Sequence, residues 1–474
     1  MKIKSLILIS FLLCFQLLNA QIRIASVLGD NMVLQRNAMV NLWGTARPGQ
    51  KLAIKIGWAK VKLQTKAAQN GKWLVKVKTP AAGGPYAITI SSGNEKITLN
   101  NVLIGEVWIC SGQSNMQMPI EGFRNMPVNH ANDYIADANN DQIRLFTVSR
   151  AASSEPLDTC AGSWSVATTE SVKKFSAIGY LFTKLLQHQL HIPVGIISTD
   201  WGGSRIEAWM DYETITQFPD DYAQTKLLKE PNHRASNLYN GMIAPLVNLV
   251  FKGVIWYQGE DNINNYQDYP QLMTGMVGNW RKVFNIGEFP FYYVQIAPFA
   301  KYPYLKGMYA KKYNSALQRD AQLKAMDMIP NSGMVCTLDI GDKYVIHPPE
   351  KYIVAKRLSW WALSQTYGYS GIECKSTVFD KMEVKDTLAI LSFKNLGIGL
   401  TTYNKRVDCF EVAGTDKVFH PARMAIDKNH VNVWSPDVKR PVAVRYGFSD
   451  FPVTDGYLYN DFGLPVPSFR TDNW

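Results

Sequence analysis

Apolar and polar residues alternate in short runs along residues 21–100, and this pattern predicts β-strands with one buried face. Turn-forming segments, such as Asn70-Gly71 and residues 83–85, separate the runs. Short strands divided in this way predict a small N-terminal β-sandwich. We place its strands at residues 40–43, 51–56, 72–78 and 86–90.

The pattern changes near residue 101, where longer apolar runs begin to alternate with segments of helical periodicity. The apolar runs predict strands buried on both faces, at residues 102–110, 192–198, 252–257, 289–296 and 333–339. The periodic segments predict helices at residues 172–190, 268–284, 314–325 and 349–367. This alternation predicts an α/β domain over residues 101–370, with a parallel sheet and helices on both faces. Residues 371–474 return to a β-rich pattern, with strands at residues 388–393, 431–434 and 442–446.

The first twenty residues resemble a targeting segment rather than part of the fold. Lys2 and Lys4 precede an apolar run over residues 6–18, and Ala20 offers a small residue at the cleavage site. These features predict a signal peptide over residues 1–20, cleaved before Gln21, and a periplasmic or secreted protein. The apolar run is shorter than the ~20 residues of a transmembrane helix, so no membrane span is expected. Five cysteines follow it, an odd number, so at least one thiol stays unpaired or pairs between chains.

The formal net charge of +11 changes this picture little. We interpret the lysines as spread along the chain, because they form no basic run and no recognised nucleic-acid motif accompanies them. The charge then predicts a solvated basic surface with a weak attraction for anionic substrates, and no nucleic-acid partner.

Residues suited to acyl transfer follow the predicted strands of the α/β domain. Ser114 follows the first strand, Gly202-Gly203 the second, Gln258 the third and His347 the fifth. The carboxyl ends of parallel strands form the ligand-binding edge of such a sheet. A serine needs a neighbouring base, and histidine titrates near neutrality. Backbone N–H groups and an amide side chain suit the oxyanion of the tetrahedral intermediate. The sequence therefore predicts Ser114 as nucleophile, His347 as general base, and an oxyanion hole of the Ser114 amide, Gly203 or Gly202, and Gln258.

Each of these residues also has a purely structural interpretation. Ser114 alone would serve as a helix N-cap, and the glycine pair as a tight turn. Ser111 is a rival nucleophile, although it lies nearer the strand. Glu260 either orients His347, binds substrate or is a satisfied polar group in a loop.

Four motifs carry a resemblance to a known family. They are Gly-Gln-Ser-Asn-Met at 112–116, Trp-Gly-Gly-Ser-Arg-Ile-Glu-Ala-Trp at 201–209, Trp-Tyr-Gln-Gly-Glu-Asp-Asn at 256–262 and Ile-His-Pro at 346–348. Together they resemble the sialate O-acetylesterases of the SGNH hydrolase superfamily. The resemblance implies an SGNH (flavodoxin-like) three-layer hydrolase core with accessory β-sandwich-like regions at both ends. It also implies removal of O-acetyl groups from sugars, typically sialic acids, without a metal or cofactor. The family's nucleophile falls on Ser114, its oxyanion donors on Gly202-Gly203 and Gln258, and its base on His347.

The sequence departs from the pattern of the superfamily at the orienting acid. SGNH relatives place this acid three or two residues before the histidine, where this chain has Tyr344 and Val345. The nearest acids are Asp342 and Asp339, with Glu260 on another loop. Asp342 completes a triad if the loop folds back; otherwise the site is a Ser–His dyad whose ring is oriented by a backbone carbonyl.

Three functions remain open. The first is a sialic acid O-acetylesterase, in which Arg205 or Arg319 pairs with the sialic acid carboxylate and Glu260 and Asn262 contact substrate. The second is an acetylesterase for acetylated xylan or other plant glycans. The third is a non-catalytic secreted glycan-binding protein, which the missing acid before His347 favours. The oligomeric state does not follow from the sequence.

Overall fold

The computed structural model describes residues 21–300 and 314–474, so the predicted signal peptide lies outside the described residues. Its N-terminal part is the β-sandwich that the alternation predicts. One sheet has the order β1-β3-β6. Its strands are β1 (Arg23–Ile24), β3 (Met39–Thr45) and β6 (Lys72–Lys78). The other sheet contains β2 (Val33–Gln35), β4 (Lys51–Ile56), β5 (Lys62–Lys66), β7 (Gly83–Ser92) and β8 (Glu95–Gly112). Trp43 and Trp73 from the first sheet pack with Ile54 and Ile88 from the second in one buried core.

Strand β8 belongs to both the sandwich and the α/β domain. Its first half pairs with β7, from Ser92↔Glu95 to Tyr86↔Val102. Its second half pairs in parallel with two strands of the central sheet. The boundary predicted between residues 100 and 101 therefore falls inside one continuous strand, and the two parts share a single backbone ladder.

The central sheet has the strand order β10-β9-β11-β8-β12-β13-β14. Its remaining strands are β9 (Asn140–Thr147), β10 (Trp164–Ala167), β11 (Val194–Asp200), β12 (Gly253–Tyr257), β13 (Phe291–Val294) and β14 (Ser332–Val335). All pairs are parallel except β10 with β9. The five predicted strands are confirmed, whereas β9 and β10 were not predicted. Arg144 interrupts the apolar run of β9, yet it is buried because backbone carbonyls such as that of Asp141 accept its N–H groups.

Helices cover both faces of this sheet, which gives the predicted three layers. The long helices α4 and α9 pack on one face, with Trp108 and Tyr257 of the sheet, and α7 packs on the other, with Trp256. The helix predicted from residue 172 begins instead at Ala177, because the Ser176 hydroxyl caps it by accepting the Gly179 N–H. The α-helices are α1 (Ser114–Gln117), α2 (Ala131–Ala136), α3 (Thr169–Lys173), α4 (Ala177–Leu190), α5 (Tyr212–Ile215), α6 (Pro219–Thr225), α7 (Tyr269–Phe284), α8 (Asn314–Met328) and α9 (Lys351–Trp361). Short 3₁₀ turns span Ile206–Trp209, Ala244–Leu246 and Glu260–Asn265, and π turns span Tyr239–Ile243 and Ala362–Thr366.

The C-terminal region forms two four-stranded antiparallel sheets and a two-stranded one, and its three predicted strands are confirmed as β16, β21 and β22. The sheet orders are β15-β16-β21-β20, β19-β18-β22-β24 and β17-β23. The strands are β15 (Val378–Lys385), β16 (Leu388–Lys394), β17 (Leu400–Thr401), β18 (Phe410–Ala413), β19 (Phe419–Pro421), β20 (Arg423–Asp427), β21 (His430–Trp434), β22 (Ala443–Tyr446), β23 (Tyr459–Asn460) and β24 (Phe469–Arg470). The described part of the chain contains no helix long and apolar enough to cross a membrane. The five cysteines at residues 110–409 are all unpaired thiols.

Candidate active site

The turn after β8 fixes the predicted nucleophile at the carboxyl edge of the sheet. Gly112 has a φ of +137°, and a Cβ there would lie 2.1 Å from the Tyr257 carbonyl oxygen, so this close approach to β12 requires glycine. The Gln113 N–H donates to the same carbonyl oxygen at 2.9 Å. Ser114 then opens α1 and stays partly exposed. The rival Ser111 is fully buried and its hydroxyl donates to the Thr199 carbonyl oxygen at 2.6 Å, so it is held in the core.

The glycine turn after β11 lies against the side chain of Ser114. A Cβ added at Gly202 would lie 3.2 Å from the Ser114 Cβ. The Gly202 N–H donates to Gln117 Oε1 at 2.8 Å, whereas the Gly203 N–H has no hydrogen-bond partner within residues 21–300 and 314–474. Gly203 has a φ of +67°, which favours glycine. The turn therefore offers one unused backbone donor beside the nucleophile.

Two polar residues hold the carbonyl groups of this glycine turn. Asn232 Nδ2 donates to the Gly202 carbonyl oxygen at 3.0 Å, and His233 Nε2 lies 2.7 Å from that of Gly203. His233 Nε2 is also 3.3 Å from Asp261 Oδ2. Because the carbonyls are fixed from behind, the orientation of the turn's N–H groups is fixed as well.

Gln258 is buried, and its amide N–H groups are engaged by the protein. Its Nε2 donates to the Ser204 carbonyl oxygen at 3.0 Å and to Asn262 Oδ1 at 2.7 Å, while the Tyr269 hydroxyl lies 2.9 Å from its Oε1. In this arrangement Gln258 braces the loops after β11 and β12. Its role as an oxyanion donor stays a prediction.

His347 lies in a pocket that keeps its ring neutral. Its Nδ1 is 2.9 Å from the Met126 sulfur, and the Phe123 ring packs edge-on with a centroid separation of 5.2 Å. Burial lowers the pKa of His347 to about 4, and the nearby Lys351 ammonium acts in the same direction. The imidazole is therefore unprotonated, and able to accept a proton, well below neutral pH.

The Asn115 side chain joins the nucleophile loop to the histidine loop. Its Nδ2 donates to Glu260 Oε1 at 2.6 Å and to the Ile346 carbonyl oxygen at 3.2 Å. Its Oδ1 accepts from Lys351 Nζ at 2.6 Å. Asn115 follows the nucleophile and Ile346 precedes the histidine, so a single buried amide sets the spacing of Ser114 and His347.

Glu260 and Lys351 are buried titratable groups that both bind this amide. Burial raises the pKa of Glu260 to about 7, partly offset by hydrogen bonds from its own backbone and Asn115. Burial lowers the pKa of Lys351 to about 7, partly offset by the Glu260 carboxylate. Glu260 Oε2 has no hydrogen-bond partner within the described residues. A buried carboxyl and ammonium near neutral pKa are typical of functional sites.

The structure does not bring Asp342 into contact with His347. Asp342 Oδ1 accepts the backbone N–H groups of Tyr344 and Val345, at 2.7 and 2.8 Å, and so shapes the loop before the histidine. Across residues 21–300 and 314–474, no ion pair or hydrogen bond joins His347 to an acid.

Of the three other predicted binding residues, Asn262 and Arg205 lie near the glycine turn, and Arg319 contacts the C-terminal region. Asn262 is buried, accepts the Ile206 N–H and donates to Glu207, so its amide is used inside the protein. Arg205 pairs with Glu207 at 3.3 Å, and its Nε has no partner in the part of the chain that the structure describes. Arg319 is fully buried and its guanidinium donates to Ser468 and to backbone carbonyls of the C-terminal region, away from the site.

Sequence reasoning missed four residues that organise the site. Asn115 lies in the serine motif and Gln117 directly follows it, so their polarity beside a nucleophile was the available signal. Lys351 lies four residues after His347, at the start of α9, and its nearness to the histidine motif was the available signal. His233 carried no signal, because only the fold brings it to the glycine turn.

The mainly parallel sheet and its two helical layers form the three-layer α/β fold that the sequence predicts for this chain. A family model described as "Carbohydrate esterase, sialic acid-specific acetylesterase" matches residues 104–347, about half of the chain. The chain therefore belongs to this family of carbohydrate O-acetylesterases.

Individual relatives cover between 81% and 96% of the chain. Sialate O-acetylesterase of Homo sapiens is 29% identical over 505 residues, which span 94% of this chain and 92% of the relative. Sialate O-acetylesterase of Pongo abelii is 29% identical over 415 residues, 81% of this chain and 77% of the relative. The crystal structure of a carbohydrate acetylesterase from Xanthomonas citri superposes with a TM-score of 0.86 at 34% identity, covering 96% of this chain and 100% of that one.

Proposed function

We propose that this chain is an exported serine esterase that removes O-acetyl groups from sialic acids. The observation that carries the proposal is the joining of three loops around Ser114. Gly202 packs on its side chain, and Asn115 reaches the residue before His347. These contacts support a nucleophile, an oxyanion turn and a base at one edge of the sheet, the arrangement that acyl transfer requires.

In the proposed reaction, Ser114 Oγ attacks the acetyl carbonyl carbon while neutral His347 accepts the hydroxyl proton. The resulting oxyanion accepts hydrogen bonds from the Ser114 and Gly203 N–H groups. His347 then returns the proton to the sugar oxygen, which leaves as a hydroxyl. A water molecule, deprotonated by His347, attacks the acetyl-enzyme and releases acetate, restoring Ser114.

We propose that His347 works as the base of a dyad. The contacts of Met126 and Phe123 orient its ring, and Asp342 acts through the backbone of the preceding loop. This assignment predicts that Asp342→Asn, which retains the Oδ1 acceptor, keeps most of the activity. A true triad acid loses about 10⁴-fold on that substitution, and such a loss would restore Asp342 as the acid.

Arg205 supports an anionic sugar as the substrate. It lies two residues after Gly203, beside the proposed oxyanion turn, and 18% of its side-chain area is exposed. Arginine recognises carboxylates through paired N–H donors. The relatives named sialate O-acetylesterase agree with this choice. Acetylated xylan and other plant glycans lack support from a comparable contact, and they serve as the alternative substrates in the test.

The test measures acetate release from O-acetylated sialic acid, acetylated xylan and a small activated acetyl ester. Ser114→Ala should abolish release, and Ser111→Ala, the matched control, should retain it. Arg205→Met should raise KM for the sialic acid substrate and leave the small ester unchanged. Acetate release only from xylan would keep the mechanism and show that the substrate is a plant glycan. No release from any substrate would leave a glycan-binding protein.

Export rests on residues 1–20 alone and is proposed on that basis. Expression of the full chain in a bacterial host followed by N-terminal sequencing of the periplasmic fraction tests it. A mature protein that begins at Gln21 is the expected result, and an uncleaved cytoplasmic chain would contradict it.

A further inference from the structure

The positive charge of the chain is concentrated in the N-terminal sandwich. Residues 21–100 hold twelve lysines and arginines against two acids, a net charge of +10, whereas residues 101–474 carry a net charge of −1. The interpretation of the lysines as spread along the chain was therefore wrong, because it looked for consecutive basic residues. On alternating strands, residues two apart in sequence share one face, so a basic surface arises without a basic run.

Five of these lysines share the outer face of the second sheet of the sandwich. On β4 and β5, Lys51 is directly opposite Lys66, and Lys55 is directly opposite Lys62. Lys96 of β8 lies on the same face two strands away. We call Lys51, Lys55, Lys62, Lys66 and Lys96 the lysine face. All five are exposed, and in the described part of the chain none of them forms an ion pair.

This arrangement works against the stability of the fold. Like charges directly opposite on neighbouring strands are destabilising, at Cβ separations of about 5 Å. Lysines on an edge strand protect it from aggregation, which accounts for Lys62 and Lys66 on β5. Edge protection does not account for Lys51 and Lys55, because β4 is flanked by β5 and β7. The unpaired charges of Lys51 and Lys55 are therefore open to an anionic ligand.

The residues between the lysines indicate the class of that ligand. Ala53, Gln64, Thr89 and Ser91 line an open groove among the ammonium groups. Small side chains leave room for a bulky polymer, and their hydroxyl and amide groups match sugar hydroxyls. No aromatic side chain lines the groove where the structure describes it, so the base-stacking platforms of single-strand nucleic-acid binding are missing. The groove also lacks the aromatic residues that would insert into a membrane interface.

We propose that the lysine face binds an anionic polysaccharide whose carboxylates pair with the lysines. Successive lysines on one strand lie four residues, about 13 Å, apart, so the face matches charges repeated along an extended chain. The family's catalytic domain acts on carbohydrate, and this second site would hold the polymer that carries or surrounds the acetylated sugar.

The experiment measures binding of the full chain to polygalacturonate, which bears no acetyl groups, so the result is independent of esterase activity. The variant Lys51→Gln/Lys55→Gln/Lys62→Gln/Lys66→Gln removes four charges, and its fold should be retained because the repulsion is relieved. The matched control replaces four exposed lysines elsewhere, at Lys174, Lys405, Lys428 and Lys439, with Gln. Neutral arabinoxylan, duplex DNA and vesicles of anionic lipid are tested in parallel.

We expect wild-type affinity for polygalacturonate to fall on the order of 50-fold between 50 and 200 mM salt, as counterion release at four cations predicts. The lysine-face variant should lose at least tenfold in affinity at 50 mM salt, and the control variant less than threefold. Equal binding by wild type and variant would overturn the proposal. So would equal binding to arabinoxylan, or tighter binding to DNA or vesicles than to polygalacturonate.

Discussion

Because His347 is buried, the esterase should remain active in acid. The pocket lowers the pKa of His347 from its ordinary value near 6.5 to about 4. This difference corresponds to about 3 kcal/mol in favour of the neutral ring. At pH 5, a base with a pKa of 4 is about 90% neutral, whereas an ordinary histidine is about 3% neutral. The profile of kcat/KM should therefore stay near its plateau at pH 5 and fall to half near pH 4.

A substitution in the wall of the pocket tests this cause. Met126→Ala removes the sulfur beside Nδ1 and admits water, so the pKa of His347 should rise by about one unit. At pH 5 the variant should then retain about half of its own plateau activity. Met328→Ala is the control, because Met328 lies on the surface with 41% of its area exposed.

The assay follows hydrolysis of a small activated acetyl ester from pH 3.5 to 8, and circular dichroism at each pH confirms that the protein is folded. A wild-type acid limb with its midpoint near pH 6.5 would refute the reasoning. An acid limb that Met126→Ala leaves unmoved would refute the assigned cause.

Three further predictions concern the contacts around the nucleophile. Gly202→Ala places a Cβ 3.2 Å from that of Ser114, so kcat should fall 10- to 100-fold with a smaller change in KM, and an unchanged kcat would contradict the close packing. Asn115→Ala leaves Lys351 and Glu260 buried without their shared partner. It should lower the free energy of unfolding by about 1–3 kcal/mol in chemical denaturation, whereas a loss below 1 kcal/mol would show that the amide is dispensable. The raised pKa of Glu260 makes the folded state bind a proton that the unfolded state releases above about pH 4.5, so this residue stabilises the fold at low pH and loses that contribution as pH rises through 7. His347, whose pKa burial lowers, contributes an opposite slope over part of this range, so the test is the difference between the two proteins. The free energy of unfolding of Glu260→Gln should change more positively with pH between pH 5 and 7 than that of wild type, and an identical pH slope in both proteins would exclude the effect.

Much of the fold follows from the hydrophobic pattern. Strands β8, β11, β12 and β13 are apolar because both of their faces are covered by helices, so composition alone reveals them. Strand β9 was not predicted because the charged Arg144 interrupts its apolar run. In the folded chain Arg144 is buried, since backbone carbonyls accept its N–H groups, and the sequence alone does not reveal that contact. The start of α4 was placed too early because the cap at Ser176 overrides the periodicity of the preceding residues.

Some residues of the candidate site could likewise be predicted from the sequence, and others could not. Ser114, Gly202 and His347 follow strands, so the edge rule for parallel sheets brings them together from sequence. Arg319 was predicted to bind a substrate carboxylate because a guanidinium suits that role. In the structure its guanidinium instead donates hydrogen bonds to Ser468 and Gly447 of the C-terminal region, which the sequence does not indicate. The bonds of Asn115 to Ile346 and Lys351 span more than 200 residues of chain, and no local pattern encodes them.

The continuity of β8 limits how such an enzyme can be recombined. Its backbone enters the sandwich at Glu95 and ends two residues before the nucleophile. A chimera joined between residues 100 and 101 would take the two halves of β8 from different proteins. The hydrogen bonds of β8 with its neighbouring strands would then have to form with backbone from another protein. A graft that exchanges the lysine-bearing sandwich must therefore take its junction after residue 112 or transplant β7 and β8 together. The sandwich and the hydrolase domain therefore share one structural element that neither can lose without damage to the other.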